Sequence, residues 1–181
     1  MKEIQPEFSR PVAVRQLGPG ETSMEIQADS HERDALAKRF GLVSLERLVA
    51  EVRLRPVSGS SLVRLRGRFE ADVVQQCGVT LDEVRSHLDE TFELAYAPPE
   101  GIEREALDIM VTLDEADPPE PIRNGVIDTG EAVAEHLALA LDPFPRAPGA
   151  ALKEDRPEAE EEGREPRNPF AALEALKRKP D

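Results

Sequence analysis

Five arginines at alternating positions are the residues whose type and spacing best suit a chemical role. They lie in the segments EVRLR and SLVRLRGRF and are Arg53, Arg55, Arg64, Arg66 and Arg68. A guanidinium group is a planar fork of donors that matches phosphate oxygens. Because alternate residues of a strand point to one side, the pattern indicates a basic face that could bind an anion such as a nucleic-acid phosphate.

The same arginines have a structural alternative, because acidic residues occur in the same alternating segments. Ion pairs across neighbouring strands would engage the guanidinium groups, and the available acids are Glu51, Glu70, Asp72, Asp89 and Glu93. No aromatic residue accompanies the arginines on that face, so stacking of single-stranded bases is not expected. The sequence leaves open whether the arginines bind a nucleic acid or pair with these acids, and the alternating pattern by itself favours the pairing.

A second candidate for partner binding is the C-terminal segment 168–181, NPFAALEALKRKPD. Asn168 and Pro169 are typical of a helix start, and three apolar residues then share a face: Phe170, Leu173 and Leu176. This short helix either docks on its own domain or binds a groove of another protein. The preceding residues 147–167 are rich in Pro, Glu and Ala, which predicts a disordered acidic linker.

Motifs of the common enzyme classes are absent from the sequence, which has no glycine-rich phosphate loop, nucleophile elbow or zinc-protease helix. The three histidines, His31, His87 and His136, have no ligand spacing between them. Cys77 is the only cysteine, so it has no disulfide partner, and no adjacent residue would activate it as a nucleophile. We therefore expect no catalytic residue, no metal and no cofactor.

The arginines belong to two of three long strands that the sequence predicts as a meander. In residues 61–96 the apolar side chains of each half share one parity and the charged ones the other, with residues 77–82 as the hairpin link. Residues 43–57 are the preceding strand, although residues 44–50 also fit a helix. The sheet is expected to be antiparallel, with one buried and one exposed face.

Two helices are predicted to pack on this sheet. Asp29 and Glu32 have the spacing of a capping box before the first helix, residues 31–41, and Ser30 is the alternative cap. The second helix covers residues 127–141, with the same arrangement built on Asp128. Shorter strands are predicted at residues 8–15, 22–28 and 106–113.

Composition limits the class of protein. The 181 residues are 39% hydrophobic and 33% charged without Trp, which favours one domain with a modest core. Residues 1–90 carry 13 Lys+Arg and 15 Asp+Glu, whereas residues 91–181 carry 10 and 22, so the net charge of −14 lies mainly in the second half. This balance argues against a general nucleic-acid coat protein. With neither a signal peptide nor a membrane helix recognisable, we expect a cytoplasmic protein.

Three stretches of the chain resemble a known family. They are residues 73–81 (VVQQCGVTL), residues 127–145 with the ending LALDPFP, and residues 168–173 (NPFAAL). They resemble the YceD family, linked to accumulation of large-subunit ribosomal RNA, in its alphaproteobacterial form, and the resemblance covers roughly residues 12–145. It implies a small α+β protein of the bacterial cytoplasm, not an enzyme, that assists 23S rRNA processing or large-subunit assembly.

The sequence departs from the resembled family at the hairpin. Many members have two cysteines spaced C-x-x-C there, whereas here Cys77 matches the first and Thr80 stands at the second position. A hydroxyl is a poor zinc ligand, and one thiol does not make a structural site. A metal or redox role is therefore not expected, and Cys77 is expected to be a small buried side chain.

The sequence thus predicts an α+β fold for residues 1–146: an antiparallel sheet of about five or six strands, a meander centred on residues 43–96, with two packed helices. We expect a ribosome biogenesis factor that binds a 23S rRNA precursor or a large-subunit ribosomal protein, with no DNA, membrane or cofactor. The alternative is a protein-interaction adaptor that acts through its C-terminal helix without RNA contact.

Overall fold

The computed structural model describes residues 6–99 and 118–151, and the fold within them is α+β, as predicted. The contacts divide the chain after Ala150, and these elements belong to the first unit. The strands are β1 Pro11–Ala13, β2 Thr22–Gln27, β3 Ser44–Pro56, β4 Val63–Gln76, β5 Glu83–Ala97, β6 Glu120–Pro121 and β7 Val126–Asp128; the helices are α1 Ser30–Phe40 and α2 Thr129–Ala140. Within the described ranges, no helix is long and apolar enough to cross a membrane.

Five strands form the main sheet in the order β2-β3-β4-β5-β6, and β1 pairs with β7 in a separate two-stranded sheet. Strands β2 to β5 are antiparallel neighbours in chain order, so the predicted meander is confirmed. Strand β6 instead runs parallel to β5, with Glu120 opposite Tyr96 and Pro121 opposite Ala97. The sheet is therefore mixed rather than purely antiparallel, because the chain returns to the edge of β5 in the same direction.

One face of the main sheet is apolar and carries both helices, while the other is exposed. Helix α1 packs on β3, and α2 packs on β4 and β5. Removal of the apolar side chains between the sheet and the helices from water is the main favourable contribution to the free energy of folding. The core between the sheet and the helices includes Leu36, Leu48, Ala50, Val52, Phe69, Ala71, Val133 and Leu137.

Helix α1 covers Ser30–Phe40, so each end lies one residue before the predicted bound, while Asp29 and Gly41 are its cap residues as predicted. The Asp29 carboxylate accepts the backbone N–H of Glu32 at 2.8 Å, and the Glu32 carboxylate accepts the backbone N–H of Asp29 at 2.9 Å. This reciprocal capping box satisfies two donors of the first turn. Gly41 ends the helix in the left-handed conformation, with φ of 67°, which glycine adopts without steric cost.

Helix α2 begins at Thr129, two residues later than predicted, because Val126–Asp128 pair with β1 as a strand. Asp128 is the N-cap, as predicted, and accepts the backbone N–H groups of Gly130 and Glu131. The predicted return bond of a capping box is replaced, because the Glu131 carboxylate accepts two bonds from Arg39 of α1. The helix start is therefore stabilised by contacts from elsewhere in the chain.

Other predictions need correction. The strand predicted at residues 8–15 is limited to Pro11–Ala13, and Phe8 before it is a core side chain outside any strand. The helical alternative for residues 44–50 is wrong, because they belong to β3, which has an irregularity in its pairing between Leu45 and Arg47. The strand predicted at 106–113 lies outside the described residues, as do the helix at 168–181 and all but the first few residues of the linker at 147–167.

Gly67 leaves room for the Phe92 ring at the centre of the apolar face. It lies directly opposite Phe92, and a Cβ at Gly67 would be 2.3 Å from two carbons of the Phe92 ring. The same ring stacks on His136 of α2, with a centroid distance of 4.0 Å. An aromatic ring over a glycine thus fills the space between the two strands and the helix.

Replacing Gly67 by Ala should lower the free energy of unfolding by about 1–3 kcal/mol, because the Phe92 ring must move from its contact with His136. Denaturant unfolding followed by circular dichroism measures this change. The matched control is Gly20→Ala, where a Cβ would meet no atom within 4 Å. Equal stability of the Gly67→Ala and Gly20→Ala variants would contradict the packing argument.

Candidate nucleic-acid interface

The exposed face of the main sheet carries all five arginines that the sequence singles out. Because the strands are in register, opposed residues form rows across this face. The row next to the β3–β4 turn has Arg55 directly opposite Arg64. The following row has Arg53 directly opposite Arg66, which lies opposite Glu93 on β5. Four of the five predicted arginines are therefore brought together as two opposed pairs.

Opposed arginine pairs are an unfavourable arrangement in a sheet, since like charges directly opposite each other repel. Nearby acids offset this repulsion only in part. Arg53 donates two bonds to Glu51, at 2.9 and 2.8 Å, and this pairing raises the pKa of Arg53. Within the described ranges, Arg55 forms no ion pair. The turn end of the face thus has an excess of positive charge.

The four paired arginines, Arg53, Arg55, Arg64 and Arg66, line a cleft that we call the arginine cleft. Its volume is about 360 Å³, and the β3–β4 turn and Glu21 complete its lining. The side chains of Arg64 and Arg66 are 59% and 63% exposed, so their guanidinium groups are open to a ligand. Exposed guanidinium groups around a concave surface favour binding of an anion with several oxygens, such as a phosphate.

Farther from the turn, charges of both signs are paired on the same face. Arg68 donates to both carboxylate oxygens of Asp89, at 2.8 and 2.6 Å, which raises the pKa of Arg68 and lowers that of Asp89. Arg68 therefore takes part in the cross-strand ion pairing that the sequence left open, with bonds to both oxygens of one carboxylate. Of the other predicted acids, Glu70 and Asp72 pair with residues outside the arginine set, namely Arg47 and His87.

A second cleft, which the sequence did not indicate, lies where β6, β7 and α2 meet. Its volume is about 1000 Å³, and acids outnumber arginines in its lining, where Glu120, Glu131 and Glu135 accompany Tyr96. Burial and the neighbouring Glu120 raise the pKa of Tyr96. Glu131 and Glu135 lie one helical turn apart on α2, whereas Tyr96 and Glu120 come from other segments, so only the fold brings the four together. Within the part of the chain that the structure describes, no group of three or more His, Cys, Asp or Glu is placed to hold a metal.

Cys77 is buried at the start of the β4–β5 turn, as predicted. Its sulfur accepts the backbone N–H groups of Val79 and Thr80, both at 3.4 Å, and that of Ala147 at 3.3 Å. The Ala147 N–H, followed by the bonds from Thr80 and Val79, lowers the pKa of the Cys77 thiol to about 6. Since Gly78 also donates to the Pro145 carbonyl, the turn is tied to the segment after α2.

The lowered pKa of Cys77 predicts a pH-dependent stability. A thiol in the unfolded chain has a pKa of roughly 8.5, so the stabilisation is complete above that pH and is lost as the pH falls through about 6. Replacing Cys77 by Ser should therefore lower the Tm more at about pH 9 than at about pH 5. Thermal unfolding across this range measures the difference, and a constant difference would show that the thiol stays protonated.

The comparison with family models shows the family of the chain. Residues 65–177, more than half of the chain, match the family described as large ribosomal RNA subunit accumulation protein YceD. The chain belongs to the YceD family. Comparison with curated proteins and with solved structures found no match.

The YceD match differs in extent from the resemblance seen in the sequence. It begins at residue 65 rather than near residue 12, and it continues past residue 145 to residue 177. It therefore includes the partner-binding candidates of the C-terminal segment, which lie outside the described residues: Phe170, Leu173 and Leu176. Of the arginine cleft, only Arg66 lies within the match, whereas its other three arginines precede it.

Proposed function

We propose that this chain is a non-enzymatic ribosome biogenesis factor of the bacterial cytoplasm that supports accumulation of large-subunit ribosomal RNA. In this proposal it binds a 23S rRNA precursor through the arginine cleft. Membership of the YceD family supports the role in rRNA accumulation. The observation that carries the binding site is the pair of opposed arginine rows, Arg55 with Arg64 and Arg53 with Arg66.

Binding of phosphate would turn this unfavourable arrangement into a favourable one. Each guanidinium can donate charge-assisted hydrogen bonds to phosphate oxygens, and a phosphate between the rows would screen the repulsion between them. The outward residues of the described strands include no Phe, Tyr or Trp, so contacts would go to the RNA backbone rather than to stacked bases. The net charge of −14 would limit the contact to this cleft.

Neutralising Arg55 and Arg64 together, as Arg55→Gln and Arg64→Gln, should weaken binding to a 23S rRNA transcript by about tenfold or more at low salt. The dependence of affinity on salt should also become shallower, because fewer phosphate contacts form. Fluorescence anisotropy across a salt series measures both effects. The Tm should change little, since Arg55 has no ion pair within the described ranges and Arg64 lies 3.9 Å from Glu93.

The matched control is the double variant Arg47→Gln and Arg85→Gln. These arginines lie on the same face but away from the cleft, in ion pairs with Glu70 and Glu46, and their loss changes the net charge equally. Binding close to that of the wild type is expected for this control. Equal weakening by both double variants would show that only the overall charge matters and would contradict the arginine cleft as the site.

A second candidate function is a protein-interaction adaptor that acts through its C-terminal segment. The observation that favours it is the YceD match, which extends to residue 177 and covers Phe170, Leu173 and Leu176. In this case the anchors Phe170, Leu173 and Leu176 would insert into a groove of a partner protein, and RNA would not be contacted.

Deletion of residues 168–181 separates the two candidates. If the cleft binds rRNA, the shortened chain should retain its affinity for the transcript and sediment with large-subunit precursors in a sucrose gradient at low salt. That co-sedimentation should be lost at high salt, because exposed charges are screened. The adaptor function would be favoured if the deletion abolished co-sedimentation while the double variant Arg55→Gln and Arg64→Gln still sedimented with the precursors.

A further inference from the structure

Among the described residues, Glu93 is the acid that contacts both rows of the arginine cleft. One of its carboxylate oxygens accepts a bond from the Nε of Arg66 at 3.0 Å, and the other lies 3.9 Å from an Nη of Arg64. Glu21 lines the cleft itself, whereas Glu93 reaches its arginines from β5, but within the described ranges Glu21 forms no ion pair. Glu51 lies in the row after that of Arg53, and Arg53 is the one cleft arginine with which it forms an ion pair among the described residues. Glu93 thus occupies a position that an incoming anion would also take.

The geometry of Glu93 resembles that of a bound anion. Its two oxygens are directed to guanidinium groups that belong to different rows and that have no other acid within 4.0 Å among the described residues. An RNA phosphate in the cleft would need the same donors of Arg64 and Arg66. The phosphate would also be repelled by the Glu93 carboxylate, because both are negatively charged and both would bind the same two guanidinium groups.

The contact is nevertheless weak enough to be displaced. The side chain of Glu93 is 47% exposed, and exposed ion pairs contribute little because water and salt screen them. A phosphate has more acceptor oxygens than a carboxylate, and an RNA backbone brings several phosphates at once. Displacement is therefore favoured for a polyanion that contacts both rows and less favoured for a single small anion.

We infer that Glu93 competes with RNA phosphates for Arg64 and Arg66 and so sets the affinity of the arginine cleft. This inference rests on the proposed function, because it assigns a regulating residue to the same site. In the free protein the carboxylate neutralises part of the arginine charge, and in the complex it is released to solvent. A purely structural role, in which Glu93 only stabilises the sheet, predicts that its removal lowers stability without strengthening RNA binding.

The test measures binding of a short duplex RNA to the full chain by fluorescence anisotropy at low salt. The variant Glu93→Gln should bind about two- to fivefold more tightly than the wild type, the range expected for loss of one exposed ion pair. This gain should fade as the salt concentration rises. Glu70→Gln is the matched control, since it removes one negative charge from the same face at an ion pair with Arg47. It should change the affinity by less than twofold.

Two further variants make the result specific. Adding Arg66→Gln to Glu93→Gln should abolish the gain, because the gain depends on the released guanidinium. Glu93→Asp retains the charge but shortens the side chain, so it should give a smaller gain in the same direction. If Glu93→Gln lowers the Tm enough to prevent a binding measurement, Glu93→Asp provides the test, and binding no tighter than that of the wild type would overturn the inference.

The outcomes distinguish this inference from the proposed function. Suppose that Glu93→Gln binds no more tightly than Glu70→Gln, while the double variant Arg55→Gln and Arg64→Gln binds more weakly than the wild type. The competition between Glu93 and phosphate is then overturned, and the arginine cleft remains the RNA site. If the arginine variants bind as the wild type does, the proposed site and the competition at it are both overturned. Equal tightening by Glu93→Gln and Glu70→Gln would also overturn competition, because it would reflect net charge alone.

Discussion

The pairing register of β3, β4 and β5 is the constraint on which the rest of the structure depends. Side chains alternate between the two faces of a strand, so a slip of one residue would turn the arginines into the core. Contacts on both faces hold the register. Phe92 fits over β4 only where Gly67 has no Cβ, and Arg68 reaches both oxygens of Asp89 across the same two strands. Core packing on one face therefore determines the charge pattern on the other.

Charge is distributed unevenly along the strands, and this distribution determines where the exposed face can bind an anion. Near the β3–β4 turn the opposed arginines outnumber the acids that contact them, whereas farther along the face Arg47, Arg68 and Arg85 are each in ion pairs. In a protein with a net charge of −14, such a local excess directs anion binding to one place. Among the described residues, both helices lie on the apolar face and this surface is exposed.

Sequence reasoning was most successful where the signals were local. Alternation identified β3, β4 and β5, and the capping residue Asp29 located the start of α1. The short β6 and β7 were missed, because two or three residues show no periodicity. The helical alternative for residues 44–50 had a physical cause: the pairing irregularity at Leu45 and Arg47 shifts the phase of β3, so Leu45 and Leu48 are both buried at a spacing of three, as in a helix.

The sequence by itself determined which residues form the long strands, which side of each is apolar, and that five arginines share the exposed face. It also contained the features that resemble the YceD family. Only the tertiary structure decided which arginines remain available, since that depends on the residues opposite them. Register places Arg55 opposite Arg64 and brings Arg68 to Asp89, although all three look alike in the sequence. The reason is physical: alternation is a property of one strand, whereas charge pairing is a property of neighbouring strands brought together by the fold.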